Sequence, residues 1–340
     1  MKTLELSGSR YEIGYGYGVQ AREYVWKFID IFFSKLESLR INKEAAFEIS
    51  GRLEEYVKEY SPVLLEEVRG LADGADKDYE EILSLNCIFE IPRIAGTKEA
   101  HYCTVWGSVA DGGVIAVQNL DLAAEYADLL HLVRIVSDDG LRIRLQALAG
   151  MLGMMGMNQD GLVFSGTTVS SKKVKYGVPK PFLGRTILNT CSTAEQAVDC
   201  LLKAPRTTGG NAMFLDAVGG FYVVECSAEQ CAVIHPEKQH LFSTNHYTDG
   251  KLTPLSPTDD IESSKARLER IQELFSHTDR YDFETLKSFA RDHDGDPGNL
   301  TICRHGDIST VSSVIFEPSK RRMWLATGLP CRNDYQEYSV

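Results

Sequence analysis

Apolar positions recur at helical spacing in the first third of the chain and at strand spacing after it. Residues 9–40 carry Ile13, Val19, Val25, Phe28, Ile29, Ile31, Phe32 and Leu36, a mainly 3.6-residue period that predicts helix. Gly14, Gly16 and Gly18 interrupt it. No strand precedes them, which argues against a dinucleotide-binding loop. Close helix contact, or a loop ahead of the helix proper, accounts for them. Residues 43–72 predict a second helical region, interrupted near Ser61-Pro62, and residues 78–91 a third, stopped by Pro92. From about residue 102 short β-rich runs follow: 104–110, 114–119, 130–137, 141–149, 154–158 and 162–168. Helices are expected near 181–190 and 193–203, strands at 212–216, 220–225, 231–235 and 240–243, helices at 260–276 and 282–292, and a closing strand pair at 310–317 and 322–327. Strands cluster in hairpins instead of alternating singly with helices. That order predicts an α+β fold with two antiparallel sheets and helices outside them, in one structural domain.

The boundary between the two textures is a hairpin. Runs 104–110 and 114–119 flank Asp111-Gly112-Gly113, a turn cluster between Val-, Ile- and Thr-rich segments. A three-residue loop would set Ala110 opposite Val114 and Cys103 opposite Asp121. A thiol and a carboxylate would then share one face, with Cβ atoms roughly 5 Å apart. A slip of one residue breaks this pairing.

Composition narrows the class. The 340 residues are 43% apolar and 25% charged, an ordinary globular profile, with a net charge of −12. No Lys/Arg cluster with interleaved aromatics points to nucleic acid. The start has no apolar signal region and no run is long enough to span a membrane, so a cytoplasmic protein is expected. The eight cysteines are scattered, and most should be buried free thiols. The nearest pair is Cys226 and Cys231. No CxxC and no His/Cys cluster argues for zinc. Nothing fixes the oligomeric state, and a homo-oligomer stays open.

Cys103 is the first chemical candidate, either as an inert buried thiol or as a nucleophile. A conventional Cys–His pair would need His101 or His246 nearby in space. Asp292-His-Asp-Gly-Asp296 lacks the spacing of a calcium loop and reads as an acidic turn. Met151-Leu-Gly-Met-Met-Gly-Met157 is either core filler or the lining of an adaptable acyl pocket. Asn211, after two glycines, either approaches the site or serves a turn.

Several blocks then carry a resemblance. They are Cys103-Thr-Val-Trp106, Gln118-Asn-Leu-Asp121, Gly209-Gly-Asn-Ala-Met-Phe-Leu-Asp216 leading to Gly220-Phe-Tyr-Val-Val-Glu225, Ser243-Thr-Asn-His246, Thr301-Ile-Cys-Arg-His305 and Thr327-Gly-Leu-Pro-Cys331. With the opening Arg10-Tyr-Glu-Ile-Gly-Tyr-Gly-Tyr-Gly18, this ordered set resembles the acyl-coenzyme A:6-aminopenicillanic acid acyltransferase family, N-terminal-nucleophile hydrolases classed with the C45 peptidases. The resemblance implies an αββα sandwich made as an inactive precursor that cuts itself between Tyr102 and Cys103. Residues 1–102, mostly helical, would become one chain and residues 103–340 the other, and the two would stay associated. The family's best-known member has Gly before the nucleophile, where this chain has Tyr102.

Carried over residue by residue, the resemblance makes Cys103 the nucleophile and its freed α-amino group the base. Asp121 would hold and orient the ammonium or the thiol, Asn245 would donate to the oxyanion, and Arg304 would pair with the aspartate or the substrate. The substrate would be a small-molecule acyl amide or acyl thioester, with no metal or redox cofactor. The alternatives are a non-catalytic small-molecule binding protein on the same fold and a conventional Cys–His hydrolase.

Overall fold

Apolar side chains on both faces of the strands decide the layering in the computed structural model, which describes residues 1–97, 102–110, 112–257, 261–293 and 300–340. The helices are α1 (Arg10–Ser38), α2 (Lys43–Tyr60), α3 (Val63–Ala75), α4 (Tyr79–Leu85), α5 (Ile91–Ile94), α6 (Lys180–Thr190), α7 (Ala194–Lys203), α8 (Ile261–Ser276) and α9 (Phe283–Ala290). The strands are β1 (Lys2–Gly8), β2 (Tyr102–Ala110), β3 (Gly113–Ala123), β4 (Leu130–Ser137), β5 (Arg142–Leu148), β6 (Met155–Asn158) and β7 (Val163–Val169). They continue with β8 (Gly209–Leu215), β9 (Phe221–Cys226), β10 (Cys231–Ile234), β11 (His240–Ser243), β12 (Ile308–Glu317), β13 (Arg322–Thr327) and β14 (Gln336–Ser339). One sheet runs β1-β4-β5-β6-β7-β8-β9-β10 and the other β11-β2-β3-β12-β13-β14.

Period-two alternation divides neighbouring residues of one strand between two cores. Val105, Val114, Ala116, Leu120, Val314 and Phe316 join the large core between the sheets. Trp106, Ile115, Val117 and Ile315 turn the other way and meet Ile271, Phe275, Leu286 and Phe289 of α8 and α9. A third core sets Ile187, Ala197, Val198 and Leu201 of α6 and α7 against Phe214 and Val224. Burial on both faces explains why these strands read as nearly continuous apolar runs. The layers are helix, sheet, sheet, helix: the expected α+β sandwich.

Two strands were not expected from the sequence. β1 offers only Leu4 and Leu6 to the core, and β14 has a largely exposed pattern. β1 also pairs in parallel with β4, so the larger sheet departs from a wholly antiparallel one. Cys226 and Cys231 lie directly opposite each other on β9 and β10 and form a disulfide, whereas the other six cysteines are free. The antiparallel register of two consecutive strands brings this nearest pair together.

The glycines of α1 are inside the helix, not ahead of it. Ser9 and Glu12 form a capping box that starts α1 at Arg10. Gly14 and Gly18 face Gly70 and Gly74 of α3. A Cβ on Gly14 would lie 1.9 Å from the Glu67 carbonyl oxygen, and one on Gly70 would lie 2.0 Å from the Tyr11 carbonyl oxygen. Close helix contact is therefore the reason for the string. Beside this crossing Glu67 accepts two hydrogen bonds from Arg185 of α6, each 2.8 Å long, with both side chains buried. A buried, bidentate pair is costly to break, at about 3–5 kcal/mol when one partner is removed.

Gly70→Ala is expected to cost at least about 2 kcal/mol, because backbone, not a flexible side chain, occupies the space. Gly51→Ala in α2, where no atom lies within 4 Å of the added carbon, should instead gain about 1 kcal/mol. Urea midpoints at unchanged slope measure both.

Candidate active site

The central hairpin corrects the expected register. Ala110 pairs with Gly113, so two residues, Asp111-Gly112, separate the strands, and Asp111 lies outside the described residues. Gly112 has φ of +97° and Gly113 of +135°, backbone that glycine adopts readily. Asp-Gly between alternating apolar runs is itself the signal of a two-residue turn. Cys103 then faces Leu120, and Asp121 faces Tyr102. Thiol and carboxylate do not share a face.

This one-residue shift gives the hairpin a chemical polarity. The Cys103 side chain shares its face with Gln118 and Leu120 and looks between the sheets. Gln118 spans the gap: its Nε2 donates to the Gly166 carbonyl at 2.8 Å, and the Gly166 N–H donates to its Oε1 at 3.1 Å. The thiol borders a cavity of about 320 Å³ with an apolar lining that includes Leu120, Leu148, Met154, Met155, Phe164 and Leu183. Met151 and Met157 are buried in the core, while Met154 and Met155 line the cavity. Burial, with the charge of Asp121 behind it, pushes the thiol up to about 12 against the pull of Arg267. The thiol is therefore protonated at neutrality and needs a base.

The other face holds the charges. Asp121 is buried, and its Oδ1 accepts from Thr310 Oγ1 at 2.7 Å. Its Oδ2 is buried with no hydrogen-bond partner among the described residues. Burial pushes this carboxyl up to about 6, although Arg267 and Arg304 both favour its ionised form. Arg267 was missed in the sequence. It donates through one terminal nitrogen to the Cys103 carbonyl and to Thr104 Oγ1, the latter at 2.8 Å, and through the other to Asn245 Oδ1 at 2.9 Å. The signal was present: Ser264, Arg267, Ile271 and Phe275 form one buried stripe of α8, and an arginine in such a stripe requires a polar partner.

Asn245 meets the nucleophile through its oxygen. Oδ1 accepts from the Cys103 backbone N–H at 2.9 Å, and Nδ2 donates to the Thr168 carbonyl at 2.9 Å. Two donors at one atom and a carbonyl at the other fix this orientation of the amide. Asn211 donates to the carbonyls of Thr244 and His246, at 2.9 and 3.0 Å, and so braces the loop that carries Asn245. Arg304 is buried, and its guanidinium lies 4.3 Å from the centre of the Tyr102 ring. Lys180 is a second residue that the sequence did not reveal. Its Nζ is buried at the cavity wall, close enough to Cys103 for their charges to interact, with no hydrogen-bond partner among the described residues. Burial holds Lys180 and the neighbouring Glu90 toward their neutral forms.

Among the described residues no histidine pairs with the Cys103 thiol. His246 places Nδ1 at 2.8 Å from Ser264 Oγ and 3.1 Å from Thr244 Oγ1, and no hydrogen bond among the described residues joins it to Cys103. His101 lies outside the described residues, as do Asp294, Gly295 and Asp296 of the acidic turn. The sequence shows no CxxC and no His/Cys spacing that argues for zinc, yet four such side chains lie close together among the described residues. His293, Cys303, His305 and Cys331 converge beside Arg304, from segments too far apart for their spacing to have announced it.

Two stacked sheets thus lie between helical layers, with Cys103 at the head of a central strand and Asn245 and Arg267 bonded to its backbone. The family model "Acyl-coenzyme A:6-aminopenicillanic acid acyl-transferase" matches residues 109–332, and this chain belongs to that family. It is accordingly an enzyme of the amide-hydrolase and acyltransferase type. The 40 kDa form of acyl-coenzyme A:6-aminopenicillanic-acid-acyltransferase of Emericella nidulans is 24% identical over 347 residues, spanning 98% of this chain and 94% of its own. Among solved structures, an N-acylethanolamine-hydrolyzing acid amidase ortholog of Caenorhabditis elegans is 18% identical with a TM-score of 0.49, covering 64% of this chain and 93% of its own. Penicillin V acylase of Agrobacterium tumefaciens is 14% identical with a TM-score of 0.41, covering 66% and 83%. None of the described helices is long and apolar enough to cross a membrane.

The Asp121 carboxyl gives a testable sign. The native state keeps its proton up to about 6, whereas an unfolded chain loses it near 3.9. This group therefore stabilises the fold less as pH rises from about 4 to about 6, by about 3 kcal/mol in all. In a Cys103→Ala background, adding Asp121→Asn should shift the unfolding free energy relative to Asp121 by that amount in favour of Asn across the same interval. Denaturant titrations at a series of pH values measure the difference. A flat difference would mean that the carboxyl is ionised throughout.

Proposed function

We propose that the chain cuts itself between Tyr102 and Cys103 and then acts as an N-terminal-cysteine amidohydrolase or acyltransferase. In the cut, the Cys103 sulfur attacks the Tyr102 carbonyl carbon, the thiol proton passes to the Cys103 nitrogen, and the Tyr102–Cys103 C–N bond breaks as that nitrogen leaves as an amine. Water then hydrolyses the thioester, leaving a Tyr102 carboxylate, a free thiol and a new α-amino group. Arg304, lying against the Tyr102 ring, holds the residue before the cut by a cation–π contact. The bulky side chain thus has a place to go.

One observation carries this reading. The Cys103 nitrogen already meets the Asn245 oxygen at 2.9 Å, and its thiol already borders an acyl-sized apolar cavity. A carbonyl oxygen that accepts from a backbone N–H accepts equally from an ammonium. The buried Asp121 Oδ2, which lacks a partner among the described residues, is the counter-charge for that ammonium. An α-amino group with a pKa near 8 is a competent base close to neutrality. It takes the thiol proton, and the thiolate attacks the acyl carbonyl of an amide or thioester. The leaving group takes the proton, and the acyl group stays on sulfur until water or an amine accepts it. Asn245 Nδ2 is the oxyanion donor that the family implies, and that role requires it to leave the Thr168 carbonyl. The apolar cavity fits a hydrocarbon acyl chain, and Lys180 at its wall, lowered only to about 8 and so still charged at neutrality, favours a substrate that carries a negative charge. Hydrolysis is the favoured outcome, since only an acceptor that excludes water turns the same acyl-enzyme toward transfer. We place the enzyme in the cytoplasm, where the Cys226–Cys231 bond would be the exception among free thiols.

Intact mass of the purified protein should show two associated chains, the second beginning at Cys103, and Cys103→Ala should remain one chain. A wild type that stays whole on long incubation yet hydrolyses amides would rule out the N-terminal-nucleophile mechanism. With N-acyl amino acids, β-lactams and acyl-coenzyme A thioesters as substrates, the acyl mass should appear on the Cys103 chain alone. Lys180→Met should raise KM about tenfold for carboxylate-bearing substrates with little change in kcat, as expected for loss of one charged hydrogen bond. Equal effects on neutral substrates would remove Lys180 from substrate recognition.

A further inference from the structure

A second cluster stands apart from the thiol, on the far side of Arg304. Four side chains meet there: His293 after α9, Cys303 and His305 ahead of β12, and Cys331 after β13. One ligand atom from each lies within 4.8 Å of every other. Zinc holds sulfur at about 2.3 Å and nitrogen at about 2.1 Å, so the edge of its tetrahedron is about 3.6 Å. His305 Nε2 lies 3.4 Å from Cys331 Sγ and 3.7 Å from Cys303 Sγ, two distances that bracket this edge. The two imidazole centres are 5.1 Å apart.

We infer that His293, Cys303, His305 and Cys331 form a four-ligand site for zinc or another thiolate-binding divalent cation, and that the metal fixes the loop carrying Arg304. The supporting contacts have the form that such sites require. His293 Nδ1 lies 2.8 Å from the Arg291 carbonyl, to which it donates, and this leaves the Nε2 lone pair for the metal. The neighbouring Asp292 is gripped by Arg270 at 2.6 and 2.9 Å, and its carbonyl accepts from the Cys303 N–H at 2.7 Å. Asn119 of β3 donates to the Ile302 carbonyl at 3.0 Å. The segments are thus held in place before any ion arrives. His293 is exposed, His305 and Cys331 are half-buried and Cys303 is buried, which gives an ion a route from solvent. Four protein ligands leave no open position, so the site is structural and not a second catalytic centre. Binding converts two thiols to thiolates and releases two protons to solvent. Arg304 lies between two of the ligands in sequence, and its backbone N–H and carbonyl are bonded to Thr310, at 2.9 and 3.1 Å. The metal would therefore secure the arginine that faces Asp121 and Tyr102.

The inference is independent of the chemistry assigned to Cys103, and its test can be read in the uncut Cys103→Ala chain as well as in the wild type. Full-length protein, reduced and stripped with a chelator, is titrated with cobalt(II) chloride. The expected result is a thiolate-to-cobalt charge-transfer band with the intense visible bands of a tetrahedral ion, saturating at one equivalent and erased by zinc chloride. His293→Ala and Cys331→Ser, both at positions not fully buried, should bind cobalt more than about tenfold more weakly and lose zinc-dependent thermal stabilisation. Amide exchange of residues 300–305 should slow when zinc is added to the wild type. The pale spectrum of six-coordinate cobalt, bands unchanged in both variants, or a Cys303–Cys331 disulfide in place of metal uptake under reducing conditions would each overturn the site.

Discussion

One buried guanidinium governs the surroundings of Cys103. Arg267 reaches from α8 to the outer face of the smaller sheet and contacts the Cys103 carbonyl, Thr104 and Asn245. Taking such a charge out of water costs several kcal/mol and is tolerated only where hydrogen bonds and an opposite charge compensate. Here Asp121 supplies the charge, and the strand backbone with two side chains supplies the bonds. Burial lowers the guanidinium only to about 10, so it remains charged at neutrality. Because it grips the backbone of Cys103 and not its thiol, the sulfur is left for the cavity on the opposite face.

That separation follows from period-two alternation. Cys103, Gln118 and Leu120 look between the sheets, while Tyr102, Thr104, Asn119 and Asp121 look toward α8 and α9. The nucleophile candidate and the charged groups thus occupy two sides of one hairpin, joined through the Tyr102–Cys103 peptide. The thiol is held protonated, at about 12, and the carboxyl is raised to about 6, because neither anion is well solvated where it lies. The thiol of the uncut chain can attack only as its proton is passed to another group. A new ammonium on the Cys103 nitrogen would lie against Asn245 and Asp121, and it would ease both penalties.

Much of this was legible in the chain. The helical first third, the hairpin at its end, the helix pairs and the two-sheet order all follow from the spacing of apolar residues, because each element buries a periodic face. The register of the hairpin was misread because Asp111-Gly112-Gly113 permits loops of two or three residues, and one residue reverses every side chain. β1 and β14 went unseen because each offers few apolar positions and depends on a neighbouring strand. Ordered blocks brought Cys103, Asp121, Asn245 and Arg304 forward, and the fold gathers all four around one peptide bond. Arg267 was hidden in a helix whose other charges face solvent. The His293, Cys303, His305, Cys331 cluster depends on which segments lie adjacent, which local pattern does not encode.

The segment ahead of Cys103 is more than a removable cover. β1 is a strand of the larger sheet, α1 and α3 cross at four glycines, and Glu67 of α3 is locked to Arg185 of α6. Ile88, Phe89 and Tyr102 line the same cavity as the thiol. Releasing this segment would strip an edge strand, leave a buried arginine without its anion and open the cavity to water. The proposed cut therefore changes covalent structure without separating the pieces: it frees a nitrogen and leaves the surfaces around it in place. Residues on either side of the Tyr102–Cys103 bond thus line one cavity, whose walls depend on the first segment as much as on the second.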